Sequence, residues 1–519
     1  MTIKNNLIYF VLIIICLCII GCGKDAHDEV SHASGISRSL TSKSKTGNKQ
    51  PSLNHGREFA GDQTADVIVI GGGGAGMAAA VQAHQCGARV IILEKTNSVG
   101  GNTIMSGGAL NAVDNGSRIA KQHDDSTERH FEQTYNGGDQ QGDPELVRVL
   151  TENAWDGVKW LKKLGMKFVP NKVFTVTGGL WPRAHKPSEP LGKGFFYTYM
   201  QYVNTHGDID LYLNTKATDL ITDNGKVVGV KAVYKDGQTA LFHANRGVVL
   251  ATGGFSQNVA LRQKYNTTWP TLDESIPSTN PPSSTGDGIA LVEPLNAQLI
   301  QMENIQLLPL GDPKTGSLSG NIELDVESRI FVNQNGCRFV DEGARRDVMT
   351  KALFEQPNHI MWIIMDSHCY PTGNEKNNFN ESINELIKQG RAFRGESLAA
   401  LADAIGVPAD NLTAAVAAFN EHAADKSRDE FGRTLYSYQL DKPPYYAAAR
   451  VPTVHHTMGG VKIDRECRVY DTAGNIIQNL YAAGEVTGGI HGTNRLGGNA
   501  LTETVVFGRI AGRNAAKVF

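Results

Sequence analysis

Arg495 is set among residues too small to fill space. The stretch from Ala482 to Leu501 holds six glycines in twenty positions, and glycine inside a helix or strand costs about 1 kcal/mol relative to alanine. Close approach of backbone to a flat ligand explains such a composition better than core packing does. A guanidinium on that backbone offers a planar fork of donors to a carboxylate. His455, in His455-His-Thr-Met-Gly-Gly460, supplies a second donor, with a packed core histidine as the alternative. Arg346 lies in Arg345-Arg-Asp347, where spacing alone reads equally as a site residue or a solvated charged turn.

The elements that position these groups begin near the other end of the chain. Asp66 to Ile70 reads as a buried strand entering Gly71-x-Gly73-x-x-Gly76 and an alanine-rich helix from about Ala75, and Val90 to Leu93 follows as a second strand ending at Glu94. Glycines at that spacing permit a tight turn, the helix N-terminus offers unpaired N–H groups to a pyrophosphate, and the acid is placed for a ribose hydroxyl. A dinucleotide site is expected, against an ordinary parallel-sheet turn. Val99 to Asn111 is another glycine-rich run, expected along the redox end of the cofactor.

The 519 residues exceed one typical core, and the net charge of -3 comes with no basic block, so nothing argues for nucleic acid. Residues 1–22 read as a lipoprotein signal peptide: Leu7 to Ile20 is apolar and short, and Ile19-Ile20-Gly21-Cys22 resembles a cleavage box that leaves Cys22 lipidated. An exported lipoprotein, membrane-anchored and facing the periplasm or cell exterior, is expected. Residues 23–61 read as a flexible tether. Cys86, Cys337, Cys369 and Cys467 show no metal or haem spacing; they permit two disulfides, with free thiols the blander reading.

A helical stripe runs from Pro144 to Lys167. Strands separated by turns at Asp223-Asn-Gly225 and Lys235-Asp-Gly237 follow, closing at Gly247 to Gly254. Composition then changes, with helical patterns at Ser397 to Ile405 and Asn411 to His422. The expected fold is α/β: a Rossmann-like, glutathione-reductase-type dinucleotide-binding domain, discontinuous over 62–302 and 456–519, with an inserted α+β capping domain at 303–455; the family resemblance described next makes it an FAD-binding domain.

With both ends in hand, about residues 64 to 519 resemble the fumarate reductase flavoprotein family, in its soluble exported flavocytochrome and urocanate reductase-like branch. The motifs that carry the resemblance are Gly71 to Gly76, Gly100-Gly-Asn-Thr103, Thr285-Gly-Asp-Gly288, Asp341 to Asp347, His455 to Gly460 and His491 to Ala500. The resemblance implies FAD, held by Gly71, Gly73, Ala75, Gly76, Glu94, Asn102, Thr103, Gly108, Ala109, Asp287, His456, Glu485, Ala500 and Leu501. Asn102 stands where membrane-bound relatives carry the attachment histidine, so the flavin is expected to be non-covalent. The resemblance also implies that Arg346 delivers a proton, opposite hydride from flavin N5, while His455 and Arg495 hold a carboxylate. Arginine is a weak acid, so this step needs a carboxylate relay and a site that stabilises the neutral guanidine.

The substrate wall expected from the resemblance is Leu308, Glu323, His455, Arg495 and Gly498. Leu308 replaces a histidine that holds the second carboxylate in fumarate reductases, which points to a one-carboxylate acceptor of urocanate, acrylate or cinnamate type. Glu323 is expected to favour a cationic or N–H-bearing tail. Without haem or iron-sulfur patterns, electrons are expected from a separate cytochrome or quinol-linked donor. A flavin oxidase or dehydrogenase of the aspartate oxidase or ketosteroid dehydrogenase type, and a non-catalytic electron carrier, remain alternatives.

Overall fold

The computed structural model describes residues 51–53 and 55–518; the expected signal peptide and Cys22 lie outside the described residues. No described helix is long and apolar enough to cross a membrane. The main sheet is built on strand Gln63–Ile70, whose Val67, Ile68 and Val69 are wholly buried, as a strand covered on both faces requires. It pairs in parallel with Val90–Leu93 on one side and Thr239–Leu250 on the other. Ile209–Tyr212 extends the first side and Ile476–Ala482 the second, both again parallel.

Register aligns the strand ends. Ile70 is level with both Leu93 and Leu250, and Leu250 with Ala482. Gly71, Glu94, Ala251 and Ala483 therefore leave the sheet along one edge, and the carboxyl edge of a parallel sheet is where such folds bind ligands. The meander Thr215–Asp223, Lys226–Tyr234 and Thr239–Leu250 turns through Asn224 and Gly225, both at positive φ (48° and 78°), the geometry of a tight two-residue hairpin.

Helix Gly74–Gln85 packs on the last helix, Asn499–Ala515, through small residues. A Cβ added at Gly512 would lie 2.1 Å from the Ala79 carbonyl oxygen, so any side chain there would force the helices apart. The stripe expected over Pro144 to Lys167 forms helix Pro144–Lys163; Gly165, at φ 102°, leaves helical space and ends it early.

A second, five-stranded sheet draws on Ile305–Gly311, Tyr445–Thr457, Met361–Asp366, Ile330–Asn333 and Phe393–Gly395. Helices Leu398–Ile405 and Ala409–Asp425 bury Leu401, Leu412, Val416 and Phe419 against it. The boundary expected between 455 and 456 falls inside the continuous strand Tyr445–Thr457, whose pairing with Ile305–Gly311 runs on to Thr457.

One expectation is corrected at the amino-terminal side. The part of the expected tether within residues 51–61 is packed: Leu53 and Phe59 lie on the main core, Phe59 stacks on Tyr234 at 5.1 Å, and Arg57 pairs with Asp210 at 2.7 Å. Two apolar side chains and one ion-paired cation suffice to dock a segment that its overall polar composition marks as free. Cys86, Cys337, Cys369 and Cys467 are free thiols.

Candidate active site

The carboxyl edge of the main sheet opens into a cleft of about 860 Å³ lined by Gly71, Gly73, Ala75, Glu94, Asn102, Thr103, Asp287 and Glu485. Gly73 caps the first helix without any side-chain partner, so the first N–H groups of Gly74–Gln85 are left to the cleft. Glu94 does more than meet a ligand: Oε2 accepts from Gly72 N at 2.7 Å and Oε1 from Thr96 N at 2.8 Å, bracing the glycine loop. Asp287 accepts from Lys95 at 2.6 Å.

Asn102, Thr103 and Glu485 also line a second cleft of about 1210 Å³ with His456, Ala500 and Leu501, so the two form one elongated groove. Asn102 donates to Glu485 Oε2 at 3.2 Å, and burial pushes the Glu485 carboxyl up to about 7. Gly76 and Gly108, expected among the cofactor contacts, line neither cleft. A Cβ at Gly76 would lie 1.9 Å from Gly71 O, and Gly108 turns at φ 74° against Leu191 O; both shape the backbone behind the groove.

A third cleft of about 770 Å³ shares His455, Arg495, Ala500 and Leu501 with the second and adds Ala109, Leu308, Glu323, Arg346 and Gly498. Three distant segments meet here. Arg346 opens helix Arg346–Phe354 and is buried, donating through Nε to Thr177 O at 3.0 Å. Its neighbour Arg345 instead pairs with Asp139 and Asp347 near the surface. Adjacent arginines thus divide the two readings that spacing left open.

The loop before Arg346 is fixed by a buried ion network. Arg338 grips Glu342 with two bonds of 2.9 Å and reaches Asp429 at 2.7 Å, while Arg433 adds a third bond to Glu342. Burial alone would raise the Glu342 carboxyl, but Arg433 and Arg338 hold it down at about 2.

Gln306, not singled out in sequence, joins the site. Its Oε1 accepts from Arg346 at 3.1 Å and from Arg495 at 3.0 Å, and its amide donates to Asn494 Oδ1 and Arg495 O at 2.8 Å. Among the described residues neither Arg346 nor Arg495 has a carboxylate partner, and the buried Arg495 Nε has no acceptor. Burial, then Arg495, lowers the pKa of Arg346 well below the ordinary arginine value; burial lowers that of Arg495 to about 10. His455 is neutral because burial, then both arginines, lowers its pKa, and Thr279 Oγ1 lies 2.8 Å from its Nδ1.

Glu323 lines the same cleft, yet its carboxylate is taken. Oε1 accepts from Thr177 Oγ1 at 2.7 Å and Oε2 lies against the Arg329 guanidinium. Gly498 caps the last helix at φ 92°, and a Cβ there would strike Asn111. Leu308 is 2% exposed and apolar.

The sequence pattern of a family described as FAD binding domain matches residues 66–501. The chain is 37% identical to a urocanate reductase of Eggerthella lenta over 87% of its own length and 74% of that protein. A flavocytochrome c3 fumarate reductase solved in an open conformation superposes with a TM-score of 0.69 at 33% identity, covering 90% of this chain and 82% of that one. The chain belongs to the fumarate reductase flavoprotein family. It is also 38% identical to an NADH:acrylate oxidoreductase of Vibrio harveyi over 88% of this chain but 50% of that protein, so it spans about half the length of that relative.

FAD is the family's cofactor, and the groove fits it on its own evidence. It is long enough to join two clefts, its helix N-terminus is uncapped, and the buried Thr252 hydroxyl in its wall has no partner among the described residues. Gly71 to Ala75 would seat the pyrophosphate, Glu94 the ribose, and Asn102, Thr103, His456 and Glu485 the ring end.

Proposed function

We propose that this chain is an exported FAD-dependent reductase that saturates the C=C bond of an α,β-unsaturated acid whose alkene carries one carboxylate. The observation that carries the reading is the pair of buried guanidiniums, Arg346 and Arg495, which share only the neutral oxygen of Gln306. Two cations without an acid partner in a low-dielectric cleft favour an anionic ligand strongly.

Bound FAD, once reduced, supplies a hydride at its N5. Arg495 receives the substrate carboxylate through the N–H groups of its fork that Leu496 O and Gln306 Oε1 leave free. His455 gives a further hydrogen bond from Nε2 when Thr279 donates to Nδ1, which also fixes the ring. Arg346 holds the proton for the second alkene carbon, and burial together with nearby Arg495 lowers its pKa in the direction this role requires. Thr177 ties Arg346 to this wall of the cleft, its carbonyl accepting from Arg346 Nε while its hydroxyl donates to Glu323 Oε1.

Leu308 offers apolar contact where a second carboxylate would need a donor. The apolar amino-terminal segment and Cys22 support export and lipid tethering, with electrons arriving from a separate cytochrome or quinol-linked partner. An anaerobic screen with reduced viologen tests the reading: a monocarboxylate of acrylate, cinnamate or urocanate type is expected to exceed fumarate in kcat/KM by at least ~100-fold, since an unpaired buried carboxylate costs several kcal/mol. Fumarate as the best substrate would overturn the one-carboxylate assignment, and rapid oxygen consumption on substrate addition would favour an oxidase.

A further inference from the structure

The cleft that holds Arg346, His455 and Arg495 contains another cation, Lys186, which no sequence motif marks. It follows the short strand Ala184–His185, donates to Asn378 Oδ1 at 2.8 Å, and lies 4.6 Å from the centre of the Phe174 ring. Asn378 is itself tied down, donating to the carbonyls of Glu323 and Leu324 at 3.0 Å each. The ammonium is thus set back from Arg346 by way of Asn378, Glu323 and Thr177.

An ammonium has three N–H donors, and among the described residues Asn378 alone accepts from it. Burial lowers its pKa to about 8, with Asp325 opposing from a distance. The acid expected to greet a cationic tail, Glu323, is neutralised by the Arg329 guanidinium against it, and its Oε1 accepts from Thr177. A cationic tail would therefore meet an unpaired ammonium rather than an available carboxylate. The same cleft is lined by the apolar Val176, Leu308, Leu310, Leu318 and Phe379, with Ser106 and Asn321 as polar groups among them.

Building on the reductase reading above, we propose that Lys186 sets substrate choice by receiving an anionic or hydrogen-bond-accepting group on the tail of the unsaturated acid. The cleft then takes an acid with an apolar body and an oxygen acceptor beyond it, and rejects a tail that carries positive charge. This reverses the preference expected from Glu323.

The test is a charge series on one body, 4-carboxycinnamate, cinnamate and 4-(aminomethyl)cinnamate, assayed anaerobically with reduced viologen. In the wild type the anionic member is expected to exceed the cationic one in kcat/KM by at least ~10-fold, the range of one hydrogen bond to a buried charge. Lys186→Met should compress that ratio to within ~3-fold, and Lys186→Arg should keep the order. A ratio unchanged in Lys186→Met, with all three acids losing activity alike, would assign Lys186 to structure and overturn the proposal. Should Lys186→Met fail to hold FAD, Lys186→Gln gives the same readout. A wild type that turns over the cationic member best overturns the tail assignment alone, whereas turnover of none of these acids, nor of acrylate, overturns the reductase reading itself.

Discussion

Arg346 and Arg495 donate to one oxygen, Oε1 of Gln306, at 3.1 and 3.0 Å. A neutral acceptor shared in this way sets the spacing of two buried guanidiniums without cancelling either charge. The amide of Gln306 is held by Asn494 and the Arg495 carbonyl, so the oxygen cannot turn away. Gln306→Leu should therefore loosen both arginines and lower kcat/KM by about 10- to 100-fold, the range for a hydrogen bond to a charged group. Steady-state kinetics on FAD-replete protein check this; an unchanged kcat/KM would mean that the arginines hold their places without Gln306.

Arg346 and Arg495 should separate in their kinetics. Arg346→Ala is expected to depress kcat by at least ~100-fold with FAD still bound, as loss of a general acid does. Arg495→Ala should act mainly through KM. Equal effects of the two substitutions on KM, with kcat retained in Arg346→Ala, would move the proton donor elsewhere.

The flavin should be released by denaturation, because Asn102 has only an amide to offer and spends it on Glu485. Acid precipitation is expected to leave a colourless pellet under a yellow supernatant. Flavin fluorescence that stays with the polypeptide on a denaturing gel would refute non-covalent binding.

Glu485 gives stability a definite pH dependence. Burial raises its carboxyl from 4.5 to about 7, so between those values the folded protein keeps a proton that the unfolded chain has lost. The contribution of Glu485 is most favourable below pH 4.5, falls as pH rises through 7, and is level above. Glu485→Gln removes this term, so its stability relative to wild type should climb between pH 5 and pH 8 by on the order of 3 kcal/mol, at about 1.4 kcal/mol per pKa unit, and its relative Tm should rise with it. A Tm difference that does not vary with pH would show that Glu485 is ionised throughout.

The first strand, glycine turn, helix and second strand were legible in the sequence because their determinants are local: apolar runs, a fixed glycine spacing, and an acid at the end of Val90–Leu93. The hairpin turns at Asn224-Gly225 and Gly237 were legible for the same reason, since few residues accept positive φ. Arg495 stood out by contrast with the glycines around it. The packing of residues 51–61 was not legible, because it depends on Asp210 and Tyr234, distant partners that composition does not reveal.

The sequence by itself determined a dinucleotide-type FAD fold and the glycine-rich segments that carry Arg495 and His455. Tertiary structure alone decided which charges are free. Arg345 and Arg346 are neighbours, yet one meets Asp139 at the surface and the other is buried in the cleft. Gln306 meets Arg346 from 40 positions away and Arg495 from 189, and Lys186 reaches Asn378 across 192. Glutamine, asparagine and lysine are common and carry no spacing signal, so only the crossing of distant segments gives them a role. Charge and acidity follow burial and neighbours rather than residue type, which is why Glu323, expected to be available, is held by Arg329, while Arg346 and Arg495 have no acid partner among the described residues.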